Sequence, residues 1–328
     1  MNTQPPLTLA KVFRRSAWLS VCLTLLAAPV LAQPAPSAAS VPGQPDLNLS
    51  GVIDFHVHTS PDSMPRSIDS DDLARLAKQM GMRGLVLKNH FETTAAQAYL
   101  VRKEVPGLEV FGGITMDLTN GGINLEAVKH MIAMKGNLGR VVWLPTQDAE
   151  NDASHRAKGA SFVPVTKDGK VLANVLALMD LIAQHPDVVL ETGHISAEEV
   201  LLVTRAAKEH GVKHVVVTHA MYSTENMTIP QMKQAAADGA MLEFVADGPF
   251  VGPQPRKTMG DYAEAMRQVG PEHCIMATDY GTIHNPPFPL HPQGMLDFMA
   301  AIHKEGVSVA DINLMTKTNP ALALSLTP

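Results

Sequence analysis

From Val52 onward, short apolar runs alternate with longer stretches whose apolar positions recur at helical spacing. The runs read as strands over Val52–His58, Gly84–His90, Glu109–Thr115, Arg140–Leu144, Val188–His194, His214–His219, Met241–Ala246 and Cys274–Asp279. After the first run, Leu73, Leu76, Ala77 and Met80 predict a helix capped by Ser70. Asp71 and Asp72 fall at the positive end of its dipole, and Gly81 ends it. Further helices are expected around 94–104, 125–135 and 172–184, after a Ser196 cap, and around 230–237, 294–304 and 309–324. Eight strands, each followed by a helix or helical turn, predict parallel pairing and a closed (β/α)8 TIM-type barrel of the α/β class.

Such a barrel carries its functional groups at the C-terminal strand ends, which makes the polar strand ends informative. His56 and His58 close the first strand; at i and i+2 they share a face and are spaced to grip one metal ion. Lys88 and His90 end the second strand, His194 the fifth, His219 the sixth and Asp279 the eighth. Each alone reads as ordinary capping or a hydrogen-bonded histidine. Together they converge on one mouth, and convergence of such residues marks a metal centre. Lys88 lies on an otherwise apolar strand, where a lone ammonium is costly and calls for a partner or a modification.

Composition changes the picture at the N-terminus. Lys11, Arg14 and Arg15 precede the apolar stretch from Ala17 to Ala28, and Val30-Leu31-Ala32 supplies small residues for cleavage. Residues 1–32 therefore read as a signal peptide, leaving an exported, periplasmic or secreted protein with no stable membrane anchor. Residues 33–48, rich in Pro, Ala and Ser, are expected to be a flexible linker, and residues 49–328 the barrel domain. Loss of the signal would take the formal charge from −6 to −9. A chain this acidic has no nucleic-acid footprint, and a small-molecule substrate is expected instead. Cys274 is the one cysteine after the signal, so no intramolecular disulfide is expected, and its place at a strand start predicts a buried structural thiol.

The strand-end residues resemble those of the amidohydrolase superfamily of metal-dependent hydrolases: His56-Val57-His58, His194, His219 and Asp279, with Thr318-Asn319-Pro320-Ala321 near the end. Leu87-Lys88-Asn89-His90, Glu191-Thr192-Gly193-His194 and Thr278-Asp279-Tyr280-Gly281 are similar to an uncharacterised amidohydrolase-like branch. The resemblance implies hydrolysis of an amide, ester, lactone or phosphoester bond by a metal-activated water. It implies one or two divalent ions, Zn2+ first, with Mn2+ or Fe2+ as alternatives. Asp279 would be the base, and the metal or His219 would polarise the scissile group. Binuclear members carry a carboxylated lysine or a glutamate at the end of strand four, where this chain reads Val141-Val142-Trp143-Leu144. Three accounts stay open: Lys88 bridges two ions from strand two; Glu191 reaches in; or His56, His58, His194 and Asp279 hold a single ion with His219 as acid/base. Arg66 and Arg156 are candidates to hold a carboxylate or phosphate, and Trp143 and Tyr222 to line the substrate pocket. A decarboxylase or hydratase on the same barrel, and a metal- or ligand-binding protein without catalysis, are the rival readings.

Overall fold

The computed structural model describes residues 38–156, 159–252, 256–283 and 289–328. Eight parallel strands pair in chain order: β1 (Ile53–His58), β2 (Gly84–Lys88), β3 (Glu109–Thr115), β4 (Gly139–Trp143), β5 (Val189–Glu191), β6 (His214–Val217), β7 (Ala240–Val245) and β8 (Cys274–Ala277). The first and last strands meet. The Asp279 N–H donates to the His56 carbonyl at 2.9 Å and the His58 N–H to the Tyr280 carbonyl at 2.9 Å. Below these bonds, Asp54 on β1 accepts from the Thr278 N–H at 2.9 Å and the Thr278 hydroxyl at 2.6 Å. Burial pushes the Asp54 carboxyl up to about 7, against these hydrogen bonds. Its function is to seam the barrel one residue before Asp279. The result is the (β/α)8 barrel that the alternation of runs predicts.

The helices on the outside are α1 (Ser70–Gln79), α2 (Ala95–Glu104), α3 (Leu125–Ile132), α4 (Glu150–Arg156), α5 (Ala173–Ala183), α6 (Ala197–Glu209), α7 (Ile229–Ala237), α8 (Asp247–Val251), α9 (Met259–Val269) and α10 (His291–Lys304). The Ser196 cap of α6 is present as a reciprocal box with Glu199. Ser70 is the first residue of α1 rather than its cap; Asp69 takes that position, while Asp71 and Asp72 occupy the first turn and hold Arg75, each at 2.8 Å. The helix α9 has a regular buried face of Tyr262, Ala263, Ala265, Met266 and Val269, although no helix was expected from the pattern there. The closing segment is not one helix. A π-helical turn, Leu314–Thr318, separates α11 (Val309–Asn313) from α12 (Asn319–Ala323). Pro320, which has no N–H to continue a ladder, follows that turn. Asn319 uses its amide to hold the Pro271 and Cys274 carbonyls at 2.8 and 2.7 Å, fixing the start of β8. Cys274 itself is buried.

The expected signal peptide, residues 1–32, lies outside the described residues. Part of the expected linker is ordered: Ser40–Val41 pairs antiparallel with Gln44–Asn48. Leu47 and Leu49 are wholly buried, and their i, i+2 spacing pins a segment whose composition is otherwise that of a tether. No described helix is long and apolar enough to cross a membrane.

Strand alternation decides what enters the barrel. On β1, Asp54, His56 and His58 share one face, and Ile53, Phe55 and Val57 the other. Register sets His58 beside Lys88 and Trp143 beside Glu191. A layer of ionisable groups, His56, Lys88, Glu191 and Glu243, is thus buried beneath the mouth. Trp143 fills the β4 position of that layer rather than the substrate pocket. Gly113 on β3 leaves space for the indole, since a Cβ there would collide with the ring and with the Val141 carbonyl.

Candidate metal centre

The two β1 histidines are fixed from behind. His56 Nδ1 lies 3.0 Å from Glu243 Oε2, and His58 Nδ1 lies 3.1 Å from the Lys88 carbonyl. A carboxylate and a carbonyl only accept, so each contact requires an Nδ1–H and leaves the neutral ring's lone pair on Nε2. Both Nε2 atoms face one oxygen: Asp279 Oδ1 is 3.0 Å from His56 Nε2 and 3.2 Å from His58 Nε2. His56 Nε2 is buried and makes no hydrogen bond despite that approach. Two imidazole nitrogens and a carboxylate oxygen turned to a common point form the donor set of a divalent transition metal.

The electrostatics fit a cation there. Burial opposes charge on His56, but Asp279 and Glu243 outweigh it and push the imidazole up to about 10. Burial likewise opposes ionisation of Asp279, and His56 and His58 overcome it, holding the carboxyl well below its usual range. Without metal, a proton on His56 supplies the positive charge that two buried carboxylates demand. A metal ion supplies that charge instead.

A second cluster faces the first. The rings of His194 and His219 are 4.8 Å apart, and the His219 ring is 5.9 Å from that of His56. His194 Nδ1 lies 3.3 Å from Asp152 Oδ2, and His219 Nδ1 lies 3.3 Å from Glu225 Oε2. The Asp152 contact leaves His194 Nε2 for a ligand, while Glu225 makes an ion-pair contact to His219 Nδ1 without a hydrogen bond. Lys88 lies between the clusters as a charged neighbour of His56, His194 and His219. It is 2% exposed, and its Nζ has no hydrogen-bond partner. The nearest aromatic face, Trp143, is 5.8 Å from the amine. Glu191 shares this interior; its Oε2 accepts from the Thr218 hydroxyl at 2.8 Å and its Oε1 is unpartnered. Burial, aided by Glu243, pushes the Glu191 carboxyl up to about 8. The buried His56 Nε2 and Glu191 Oε1, each without a hydrogen bond, fit a bound cation, and Lys88 would join them only as a carbamate.

The backbone is bent to make this arrangement. His219 and Asp279 have positive φ, 25° and 55°. Six described non-glycine residues adopt such a φ, and these two of them fall at the centre. Gly193, with φ 63°, turns the chain just ahead of His194 against the Leu144 and Pro145 carbonyls, where a Cβ has no space.

His56, His58, Lys88, His194, His219 and Asp279 are therefore brought together as the strand ends predict. Arg66 and Tyr222 line the same cavity, of about 260 Å³, and Tyr222 donates to Asp247 Oδ2 at 3.0 Å. Trp143 is not in that cavity; it is wholly buried beside Lys88. The Arg156 side chain lies outside the described residues. The sequence reading missed the carboxylates that hold the rings: Glu243, Glu225 and Asp152. Glu243 carried a signal, a glutamate in the apolar run Met241–Val245, where the reasoning applied to Lys88 holds equally. His90, given no role by sequence, belongs to the cluster. Its ring stacks at 4.9 Å on His58, and its Nδ1 lies 2.8 Å from Thr146 Oγ1, whose hydroxyl donates to Asp117.

Glu243 is a positioning residue with a measurable consequence. Glu243→Leu is expected to weaken metal binding by about 10–100-fold, while Glu243→Gln, which keeps an acceptor for the His56 Nδ1–H, loses less. Competition against a chromophoric chelator gives both affinities. Equal affinity in the wild type and Glu243→Leu would show that His56 needs no such support.

The barrel is similar to several solved hydrolases. One, engineered for organophosphate hydrolysis from a weak promiscuous lactonase template, is 14% identical with a TM-score of 0.58 over 84% of this chain and 95% of its own. The phosphotriesterase homology protein of Escherichia coli, solved with phosphate in its active site, is 15% identical with a TM-score of 0.55 over 84% of this chain and 99% of its own. An amidohydrolase from Pseudomonas aeruginosa is 13% identical with a TM-score of 0.53 over 84% of this chain and 95% of its own. At these identities the likeness is one of fold. No curated protein matches in sequence. A family model matches residues 51–243, from the start of β1 into β7, and places the chain in the DUF6282 family, a family of unknown function.

Proposed function

We propose that the chain is a metal-dependent hydrolase of amidohydrolase type, acting on an amide, ester, lactone or phosphoester bond of a small molecule. The observation that carries this reading is the convergence of the His56 and His58 Nε2 atoms on Asp279 Oδ1, each ring held by its Nδ1. The solved barrels of similar fold, which include lactonases and a phosphotriesterase homologue, support it. His56, His58 and Asp279 would hold one ion; His194, His219 and Lys88 would hold a second. Zn2+ suits a set of imidazoles and carboxylates, with Mn2+ or Fe2+ as alternatives. When bound, such an ion supplies Lewis acidity and acidifies water from a pKa of about 16 to near 7.

The chain's own groups do the rest. Asp279, oriented by the seam at Asp54 and Thr278, takes the proton of the attacking water on a carboxylate oxygen and returns it to the leaving group. His219, held at Nδ1 by Glu225, presents Nε2 as a ligand or as the donor that polarises the scissile oxygen. Lys88 is a bridging group if carboxylated. The amine, after giving one proton to water, would attack carbon dioxide; an N–C bond would form, one C=O electron pair would move to oxygen, and the nitrogen would lose a second proton to water. The product is an anionic carbamate with two donor oxygens where an unpartnered ammonium stood. We also propose that residues 1–32 direct export, so that the hydrolase acts outside the cytoplasm.

Plasma emission analysis of protein purified without chelator, paired with a panel of small esters, lactones, amides and phosphoesters, tests this reading. Two equivalents of metal per chain with turnover of one bond class are expected. One equivalent would favour the single-ion account. No metal, and no uptake from supplied Zn2+ or Mn2+, would overturn the assignment of His56 and His58.

A further inference from the structure

The cavity wall contains a cation that nothing in the metal centre uses. Arg66 lies in the loop between β1 and α1, its side chain 2% exposed. Asp62 grips it by the edge: Nε donates to Asp62 Oδ2 at 2.7 Å, while Asp62 Oδ1 accepts from the Met64 N–H at 3.0 Å. The backbone is fixed as well. Arg66 bridges Thr282 across the segment that follows Asp279, and the Ser67 N–H donates to the Gly281 carbonyl at 2.9 Å. The guanidinium is therefore held by its rear and cannot swing to solvent. Its Nη2 is buried and has no hydrogen-bond partner.

The other carboxylates on the wall do not serve it. Asp279 faces His56 and His58, Asp152 faces His194, and Asp247 accepts from Tyr222. Beside it on the wall is Gln147, whose Nε2 donates only to the Met64 sulfur, at 3.6 Å, the weakest kind of acceptor. Among the described residues, two cavity-lining donors, one charged and rigid, thus have no oxygen to receive them. A buried guanidinium N–H left unpaired is costly, and a forked charged donor matches a carboxylate or phosphate oxygen pair.

We infer that Arg66, with Gln147, receives an anionic oxyacid group of the substrate, carboxylate or phosphate, at a position separate from the bond that is cut. This rests on the hydrolase reading for the word substrate, though not for binding of the anion. The cavity, about 260 Å³, falls below the roughly 300–1,000 Å³ of drug-sized sites, so the substrate is small and its anionic group lies near its scissile bond.

The test uses metal-loaded protein and matched small esters carrying a free carboxylate, a phosphate monoester, or a neutral amide at the same position. One anionic form is expected to exceed the neutral form in kcat/KM by about 10–100-fold, and which form does so names the group. Arg66→Gln should bring that ratio close to one. Arg66→Lys guards against misfolding: it retains a charge for Asp62, but its single amine is consumed there, so most of the preference should still be lost. A second arm titrates glutarate and its diamide calorimetrically into metal-loaded wild type and both variants. Glutarate is expected to bind more tightly than the diamide, and to weaken at least tenfold in Arg66→Gln. Hydrolysis with equal rates on charged and neutral forms would overturn this inference and leave the hydrolase standing. Arg66-dependent glutarate binding without hydrolysis of any ester would uphold it while the hydrolase reading fell. Glutarate affinity equal in wild type and Arg66→Gln would overturn it outright.

Discussion

Asp279→Asn is expected to retain most of its metal and to lose turnover by about 10³–10⁴-fold, within the range general-base and electrostatic contributions reach together. Asparagine keeps the shape of the side chain and an oxygen for the point where His56 and His58 Nε2 converge. It removes the basic oxygen and the negative charge. Some loss of metal affinity follows from the charge, because Asp279 is one of two carboxylates, with Glu243, that balance the centre. The two effects separate experimentally: kcat is measured at saturating metal, and metal content on the same sample. Normal kcat with full metal would remove Asp279 from the mechanism. A fall in kcat that excess metal restores would make it a ligand alone.

The strand ends were legible because a barrel imposes a simple rule on them. Alternation gives the face, chain order gives the neighbour, and the C-terminal end gives the functional mouth. His56, His58, Lys88, His194, His219 and Asp279 follow from those three facts. The acceptors behind the rings do not. Glu243 is 187 residues from His56 and Asp152 is 42 from His194. Asp152, on α4, and Glu225, in the loop after β6, reach their Nδ1 atoms by chain paths that no local pattern encodes; Glu243, on β7, lay within reach of the strand argument. Trp143 was misplaced for a related reason. An aromatic at a strand end can line a pocket or fill a barrel, and the missing Cβ at Gly113 on the next strand decides for filling. The hairpin Ser40–Asn48 was obscured by composition, because Pro, Ala and Ser outweigh two well-spaced leucines in any average. The helix α9 was readable from Tyr262, Met266 and Val269, at i, i+4 and i+7, and was overlooked beside the strand-end chemistry.

If Lys88 bridges two ions as a carbamate, Lys88→Ala is expected to bind about one metal equivalent fewer than the wild type and to lose turnover by at least about 10²-fold, because it would remove both the bridge and its charge. Lys88 sits on β2 rather than β4, yet Trp143 occupies the β4 end and its ring lies 5.8 Å from the Lys88 amine. If Lys88 supplies the bridge, it does so from β2, while an indole fills the β4 position. As an ammonium, Lys88 is a buried charge with no hydrogen bond, set against His56, His194 and His219. As a carbamate, it would reverse sign and offer two oxygens to the centre. Carbon-13 NMR of metal-loaded protein equilibrated with labelled bicarbonate should therefore show one carbamate resonance, absent from Lys88→Ala. Short carboxylic acids supplied in solution should restore part of the variant's metal content and activity by replacing the lost oxygens. Unchanged stoichiometry in Lys88→Ala, with no carbamate signal in the wild type, would assign the centre to one ion held by His56, His58, His194 and Asp279. His219 would then be left as the acid/base, and Lys88 would be balanced by the Glu191 carboxyl that shares its interior.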